Sequence, residues 1–357
     1  MTVPLLPTSP DRPLLAGCRR APVEEYDTAL LDLDGVVYAG PEAVPHAVDA
    51  LHRADQAGMR LAYVTNNASR TPEDVAGHLT RLGVPTGPDA VVTSAQAAAR
   101  LVAEQVPAGA AVLVVGGKGL HEALREHGLR PVGSLADEPA AVVQGFDPGV
   151  GWPELAEASY AVVAGLPWIA SNTDLSLPTD RGRAPGNGAL VGAVRAATGA
   201  EPQVAGKPMP VMHRESMLRT AARRPLVVGD RLDTDIAGAV NGGVDSLLVL
   251  TGVTTAEQLL AAGPQERPTH VAADLRGLLT PHPAVTPGPG HAFHCGGWLA
   301  RTADGRLLLE GEGPDPVDAL RALCAAAWTA GDRTGTTPVL DLAGPAGTVL
   351  GALHATP

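Results

Sequence analysis

The chain has 357 residues, more than one ordinary hydrophobic core accommodates, and this length predicts two or three domains. Hydrophobic residues make up 45% of it and charged residues 18%, a composition typical of globular proteins and not of disordered ones. The 38 acidic residues outnumber the 26 basic ones, and the net charge of −12 argues against nucleic acid or an anionic membrane as a partner.

The three cysteines, Cys18, Cys295 and Cys324, are far apart and form no CxxC pair. This usage predicts a reducing, cytoplasmic environment and argues against a disulfide framework or a zinc site. The N-terminal stretch is interrupted by prolines and has no unbroken apolar run, so residues 1–25 are predicted to be a flexible leader rather than a signal peptide. No stretch approaches the ~20 apolar residues needed to span a bilayer.

From Tyr26 onward, strand-like and helix-like segments alternate, which predicts an α/β fold with a parallel sheet. The first α/β pattern covers residues 26–88 and resumes over 201–280, while a second pattern fills 89–200. One domain is therefore predicted to be inserted into another. The elements predicted before the insertion are the strand Thr28–Leu33, the helix Pro45–Ala57, the strand Arg60–Val64 and the helix Thr71–Leu82.

The predicted strands of the insertion are Ala111–Val115, Ala140–Gln144 and Trp168–Ser171. After it come the helix Met209–Ala222, the strand Pro225–Val228, the helix Thr234–Asn241 and the strand Ser246–Leu250. Residues 281–290 are rich in Pro and Gly and are predicted to be a linker. Residues 291–357 are predicted to be a small α+β module with a hairpin of His291–Ala300 and Arg306–Glu310, a helix Pro316–Ala330 and a strand Pro338–Leu342.

Four short motifs follow strands of the first pattern, and parallel sheets bind ligands at the carboxyl ends of their strands. We therefore expect the four motifs to converge on one crevice. The first contains Asp32 and Asp34, two acids that can reach one metal and one phosphate. A carboxylate nucleophile needs no deprotonation at pH 7, and Asp34 could protonate the leaving oxygen and later activate water. Taken alone, the motif D-x-D-G is more often a turn.

The second motif begins with Thr65 and Asn66, where a hydroxyl and backbone N–H groups can bind phosphate oxygens. An ordinary Asx or ST turn is the alternative. The third motif contains Lys207, a compact cation suited to a phosphate, for which a solvated lysine is the alternative. The fourth contains Asp230, placed where a metal ligand is wanted, and Asp235, which could instead stabilise the first turn of a helix.

The four acids Asp32, Asp34, Asp230 and Asp235 would repel one another in one crevice. Like charges ~4 Å apart cost about 4 kcal/mol per pair at an effective dielectric of ~20. Lys207 alone cannot offset this repulsion, whereas a hard divalent cation with oxygen ligands can. The sequence therefore predicts a bound Mg²⁺.

The segments DLDGVVYAG, VTNNAS, GKP and VVGDRLDTDIAGAVNGG, in this order, resemble the haloacid dehalogenase (HAD) superfamily and its NagD-like phosphatase branch. The resemblance covers about residues 26–280. It implies a Rossmann-like core with an inserted α/β cap domain of the C2 type, which matches the insertion at 89–200.

By this resemblance, Asp32 becomes a phosphoaspartate and Asp34 is the acid/base. The residues implied to bind the phosphate are Thr65, Lys207 and, through its backbone, Asn66. The implied Mg²⁺ ligands are Asp32, the Asp34 backbone carbonyl and Asp230, with Asp235 supporting a bound water.

Within the branch, VVTSAQ, VVGDRLDTDI and the extra C-terminal region resemble the actinobacterial glycerol-3-phosphate phosphatases, whose C-terminal region is likened to part of an acetyltransferase. This implies hydrolysis of glycerol 3-phosphate, released in phospholipid head-group turnover. Phosphoglycolate, nucleoside monophosphates and pyridoxal phosphate are alternative substrates. Phosphotransfer, dehalogenation and a non-catalytic binding protein of the same fold stay open, and the chain could form a homo-oligomer.

A cap that covers the crevice would exclude water and bulky groups, which favours a small phosphorylated metabolite as substrate. Asn172, Asp174 and Arg181, in the predicted cap, are candidates for substrate contacts. Hinge or capping roles for these three residues are equally compatible with the sequence.

Overall fold

The α/β alternation is present in the computed structural model, in which the described residues are 15–179, 181–342 and 344–354. They fall into two compact units. The first unit combines the described residues of Met1–Leu61 and Ala222–Pro357, and the second combines those of Ala62–Ala221. Among the described residues, no helix is both long enough and apolar enough to cross a membrane.

Four parallel strands lie side by side in the first unit. Thr28–Leu31 pairs with Pro225–Gly229, which pairs with Asp245–Val249, which in turn pairs with His270–Ala272. All but one of their residues are buried, so both faces of these strands are covered, as is usual for parallel sheets. The sequence predicted the first three of these strands, with only small differences at their ends.

The first strand stops before Asp32 because the chain turns around Leu33. The Leu33 carbonyl accepts the N–H of Tyr38 at 3.1 Å. Gly35 has a φ of +83°, a conformation that costs glycine no steric penalty. Asp32 is therefore the first residue past the strand, where its N–H still donates to the Val228 carbonyl at 2.8 Å.

Short helices connect the strands of the first unit. The helix Ala47–Gln56 buries its apolar face against the turn Leu275–Leu278. The predicted helix Thr234–Asn241 is divided into a π-helical turn, Leu232–Ile236, and an α-helix, Ala237–Gly242. A further α-helix spans Ala256–Leu260.

The described part of the predicted leader is packed, which corrects the expectation of flexibility for residues 15–25. Cys18 and His282 exchange backbone hydrogen bonds of 2.9 and 3.1 Å, and both residues are buried. The segment then forms a short helix, Pro22–Glu25. Residues 1–14 of the predicted leader lie outside the described residues.

The predicted linker also makes fixed contacts, since His282 is buried and Thr286–Pro287 forms a strand against Phe293–Cys295. After the strand Phe293–Cys295 the chain turns at Gly296 and Gly297, which have φ values of +54° and +92°. The sequence interpretation missed this turn. It had treated His291–Ala300 as one arm of a hairpin.

The C-terminal module places a long helix against one five-stranded sheet. The helix Pro316–Thr334 exceeds the predicted one by a turn and ends at Gly335 in the left-handed conformation. It packs on the Trp298–Ala303 strand, and a second helix, Pro345–His354, packs on it. The strands, in sheet order, are Thr286–Pro287, Phe293–Cys295, Trp298–Ala303, Arg306–Gly311 and Val339–Leu340.

In the second unit, the strand Arg60–Thr65, whose first two residues belong to the first unit, pairs in parallel with Val91–Thr93. Two helices start with complete capping boxes. Thr71 and Asp74 cap Pro72–Arg81, and Thr93 and Gln96 cap Ser94–Ala103.

The rest of the second unit is built on a five-stranded parallel sheet flanked by helices. Its strands, in sheet order, are Gln203–Val204, Trp168–Ala170, Ala141–Gln144, Ala111–Val115 and Arg130–Val132. Its helices are Lys118–Glu126, Trp152–Val163, Asn187–Thr198 and Pro210–Thr220, and a small hairpin is formed by Ser176–Thr179 and Gly182–Pro185. The predicted α/β class with parallel sheets is confirmed, while the domain boundaries at 88/89 and 200/201 stay a prediction.

Candidate active site

Asp32 and Asp34 stand at the carboxyl end of the first strand, on either side of the fully buried Leu33. Asp32 is half-buried and Asp34 is exposed. Asp34 forms a β-bridge with Tyr38 in the tight turn that follows. The motif is therefore a turn, as the alternative interpretation held, and this turn presents two carboxylates at a strand end.

Asp230 and Asp235 are held at the end of the neighbouring strand. Asp230 directly follows Pro225–Gly229, and Asp235 lies in the π-helical turn. Their exposed fractions are only 1% and 0%. Asp235 accepts the backbone N–H of Arg231 at 3.2 Å, which fixes this carboxylate against the turn.

The carboxylates of Asp32, Asp230 and Asp235 form one cluster, with one oxygen of each lying within 4.8 Å of the others. Charges at this distance repel by ~3 kcal/mol per pair at an effective dielectric of ~20. Two of the three are buried, so water screens them poorly. Three convergent carboxylates are ligands that suit a hard divalent cation, so the cluster fits Mg²⁺. Asp34 contributes no carboxylate to the cluster, and its expected metal ligand is its backbone carbonyl.

Asp230 is enclosed by Gly35 of the D-x-D-G motif and by the segment 252–254, which the sequence interpretation did not identify. A Cβ on Gly252 would lie 1.8 Å from Asp230 Oδ2, and one on Gly35 would lie 2.6 Å from it. The Val253 N–H donates to the same oxygen at 2.8 Å, and the Thr254 hydroxyl donates to the Asp230 carbonyl at 2.5 Å. The sequence feature that could have indicated these contacts is the segment T-G-V-T at residues 251–254, directly after the predicted strand Ser246–Leu250.

Thr65 is the last residue of its strand, and a side-chain turn follows it. The Thr65 hydroxyl accepts the N–H of Asn67 at 3.1 Å, and Asn67 Oδ1 accepts the N–H of Ser69 at 2.9 Å. These are the ST and Asx turns that the sequence offered as the alternative. They hold Thr65 and Asn66 at the carboxyl end of the strand, where a phosphate site is expected.

Lys207 is buried, with an exposed fraction of 5%, so the alternative of a solvated lysine is wrong. Its ammonium donates to the Val64 carbonyl at 3.3 Å, next to Thr65. Asn66 binds the Lys207 backbone through both atoms of its amide. The structure thus brings Asn66 and Lys207 together in the second unit, and Asp32, Asp230 and Asp235 together in the first.

His213 is a further buried group near Lys207 that the sequence interpretation missed. Its exposed fraction is 1%, and among the described residues neither ring nitrogen has a hydrogen-bond partner. Burial, and secondarily the charge of Lys207, lower the pKa of His213 to about 3. The imidazole is therefore neutral at pH 7. No pattern in the sequence distinguishes this histidine from one on the surface.

The fold and the carboxylate cluster define a protein with a Rossmann-like α/β core and a candidate metal site at the ends of its strands. Residues 29–130 match the haloacid dehalogenase-like hydrolase family, and residues 204–278 match a second HAD-hydrolase-like family. The chain belongs to the haloacid dehalogenase-like hydrolases. Residues 295–355 match a GCN5-related N-acetyltransferase-like domain.

Two curated relatives and one solved structure show the same likeness over most of the chain. The D-glycerol 3-phosphate phosphatase of Mycobacterium tuberculosis is 46% identical, with 86% of this chain and 87% of the relative covered. A 5′-nucleotidase of Bacillus subtilis is 36% identical, with 71% and 97% covered. The crystal structure of the M. tuberculosis glycerol phosphate phosphatase in complex with magnesium has a TM-score of 0.84 and 41% identity, covering 95% of this chain and all of that one.

Proposed function

We propose that this chain is a Mg²⁺-dependent phosphoric monoester hydrolase acting through a phosphoaspartate on Asp32, with glycerol 3-phosphate as its substrate. The observation that carries the proposal is the cluster of Asp32, Asp230 and Asp235 at the strand ends. Such a cluster is costly without a cation and supplies both the nucleophile and the ligands that phosphoryl transfer needs.

The chemistry needs two proton transfers and two displacements. The Asp32 carboxylate attacks phosphorus, and the bond to the ester oxygen breaks as Asp34 donates a proton to that oxygen. Asp34, now ionised, takes a proton from a water that attacks the phosphoaspartate. The water oxygen bonds to phosphorus as the bond from phosphorus to the Asp32 oxygen breaks, so inorganic phosphate leaves and both carboxyl groups return to their starting states.

The metal ligands of the proposal are Asp32, the Asp34 backbone carbonyl and Asp230, with Asp235 on a bound water. When bound, Mg²⁺ neutralises negative charge on the transferring group. Thr65 and the Asn66 backbone N–H donate to phosphate oxygens, and the Lys207 ammonium balances their charge. The position of Lys207 supports this role, because its ammonium donates to the Val64 carbonyl at 3.3 Å, at the strand end that carries Thr65.

Glycerol 3-phosphate is favoured because the relative with 46% identity over most of both chains is a D-glycerol 3-phosphate phosphatase. The 5′-nucleotidase relative makes nucleoside monophosphates the second candidate. The sequence adds phosphoglycolate and pyridoxal phosphate. The cytoplasmic location and a homo-oligomer also remain proposals.

A panel of these esters, ranked by kcat/KM with Mg²⁺ present, tests the substrate. Glycerol 3-phosphate is expected to rank first, and a low rank would remove this assignment while leaving the phosphatase. Asp32→Asn is expected to abolish turnover with the fold intact. Full turnover by Asp32→Asn contradicts the phosphoaspartate. Absence of phosphate release from every ester would favour a binding protein instead.

A further inference from the structure

The side chain of Asn66 binds both polar groups of the Lys207 backbone. Asn66 Oδ1 accepts the Lys207 N–H at 2.8 Å, and Asn66 Nδ2 donates to the Lys207 carbonyl at 3.2 Å. Such a contact needs a donor and an acceptor side by side, which a carboxamide provides and a carboxylate does not. The geometry therefore depends on an amide at this position.

The predicted cap segment holds Asn66 from its other side. The Asn66 carbonyl accepts Asn172 Nδ2 at 2.7 Å, and the Asn172 carbonyl accepts Asn187 Nδ2 at 2.7 Å. Asn66 Nδ2 also donates to Asp174 Oδ2 at 3.2 Å. Hydrogen bonds thus link three asparagines in a series, from Asn187 at the start of a helix through Asn172 to Asn66. The Asn66 side chain in turn binds the Lys207 backbone.

This series of asparagines has little room to rearrange. Asn172 and Asn187 have exposed fractions of 4% and 1%. A Cβ on Gly206 would lie 2.7 Å from Asn66 Oδ1 and 2.5 Å from the Ser171 carbonyl, so the backbone before Lys207 approaches closely on both sides. Because a buried amide that loses its partner costs ~1–3 kcal/mol, each bond in the series restrains the next.

We infer that Asn66 is a positioning residue, whose side-chain amide fixes the Lys207 backbone and so holds the ammonium group in place for the phosphate. The inference rests on the proposed function, in which Lys207 binds the transferring phosphoryl group. A fixed cation stabilises the transition state more than a mobile one, since no reorganisation is needed during the reaction. Asn66 thereby acts through its side chain as well as through its backbone N–H.

A double-mutant cycle with Asn66→Ala and Lys207→Met tests this coupling in the full-length protein. The readouts are kcat/KM and the dissociation constant of inorganic phosphate measured calorimetrically with Mg²⁺ present. Asn66→Ala is expected to weaken phosphate binding and kcat/KM by ~10- to 100-fold in the wild-type background. In the Lys207→Met background it should change phosphate binding by no more than ~2-fold, because there is no ammonium left to position. Equal losses in the two backgrounds would overturn the inference.

Neighbouring asparagines offer a matched control. Asn67 Oδ1 only accepts hydrogen bonds, from Ser69 and Arg70, so Asn67→Asp keeps its contacts, whereas Asn66→Asp loses the donor to Lys207. Both changes add one negative charge at adjacent positions. Only Asn66→Asp is expected to lose phosphate affinity by the ~10-fold or more that a lost buried bond implies. Equal losses at the two positions would assign the effect to charge and reject the inference.

Either Asn66 variant tests the contact, because Asn66→Ala loses both bonds to the Lys207 backbone and Asn66→Asp loses the donor alone. Thermal unfolding without phosphate shows whether each is folded. If the wild type hydrolyses no phosphate ester and Lys207→Met leaves phosphate binding unchanged, the proposed function fails. If the wild type hydrolyses a phosphate ester, Lys207→Met weakens phosphate binding and the Asn66 variants match the wild type, only the positioning role fails.

Discussion

Arg321 donates from Nη2 to Nδ1 of His282 at 3.1 Å, and this bond sets the tautomer of the imidazole. A guanidinium can only donate, so Nδ1 accepts and the ring proton is on Nε2. Nε2 then donates to the Gly277 carbonyl at 2.7 Å. The helix Pro316–Thr334 of the C-terminal module is thus hydrogen-bonded to the segment 281–290 that the sequence predicted to be a linker.

Replacing Arg321 should destabilise the first unit strongly. Its exposed fraction is 5%, and it also pairs with Asp318 and donates from Nε to the Val271 carbonyl at 3.2 Å. Arg321→Met leaves Asp318 and these acceptors buried without it, at an expected cost of ~3–5 kcal/mol in the free energy of unfolding. Urea denaturation measures this loss.

Arg301→Met is the control, since Arg301 pairs with Glu310 and both side chains are 40% or more exposed. Arg301→Met should lower the free energy of unfolding by less than ~1 kcal/mol. Similar losses for the two variants would mean that the buried network contributes no more than a surface pair.

The neutral state of His282 should make the protein less stable in mild acid. Burial, with a smaller contribution from the Arg321 charge, lowers the pKa of His282 from 6.5 to about 4, although the bond to Gly277 opposes the shift. Between these two values the unfolded state binds the proton more strongly than the folded state. Stability from this group is therefore complete above pH 6.5 and is lost as the pH falls towards 4.

Denaturant unfolding at a series of pH values measures how steeply the free energy of unfolding changes with pH. His282→Gln keeps a donor and an acceptor without a titrating group, so its slope between pH 6.5 and 4 should be smaller. An unchanged slope in this variant would assign the acid sensitivity to other groups, such as His213.

The sequence alone predicted the strands and helices that are determined by local residue patterns. Apolar runs such as Thr28–Leu31 and Pro225–Gly229 are buried on both faces, and an acidic residue follows each at the strand end. Parallel pairing then brings Asp32 and Asp230 together, which is why separate weak motifs predicted one carboxylate cluster.

Contacts between distant residues explain what the sequence interpretation missed. Cys18 and His282 are paired although 264 positions separate them, and their proline-containing surroundings look flexible when considered locally. Val253 binds Asp230 through a backbone N–H, a group that almost every residue has. No residue type marks such a contact, so only the folded chain shows it.

Adding one methyl group at Gly252 should weaken Mg²⁺ binding. A Cβ there would lie 1.8 Å from Asp230 Oδ2, so the carboxylate must move away from its position in the cluster. We expect Gly252→Ala to raise the dissociation constant of Mg²⁺ by at least ~10-fold, the size of effect that losing a metal ligand's orientation produces. Isothermal titration of the folded, substrate-free protein with Mg²⁺ measures it.

Gly263→Ala is the matched control, because a Cβ at Gly263 meets nothing within 4 Å and its φ is −71°. Its Mg²⁺ affinity should equal that of the wild type. Unaltered affinity in Gly252→Ala as well would show that the Asp230 carboxylate is not a ligand.

Asp34→Asn should separate the two halves of the reaction. The first displacement needs an acid only when the leaving group is a poor one such as the alkoxide of glycerol, while 4-nitrophenolate departs without a proton. The second displacement needs Asp34 as a base whatever the substrate was. With 4-nitrophenyl phosphate, the variant should therefore release about one equivalent of nitrophenol per site in a fast phase and then turn over very slowly. With glycerol 3-phosphate it should show no fast phase.

Rapid-mixing kinetics measure the size of the fast phase and the later steady rate on each of the two esters. Asp32→Asn is the control and should give no fast phase on either ester. A slow steady rate on 4-nitrophenyl phosphate without the initial release would exclude Asp34 as the base for the second step.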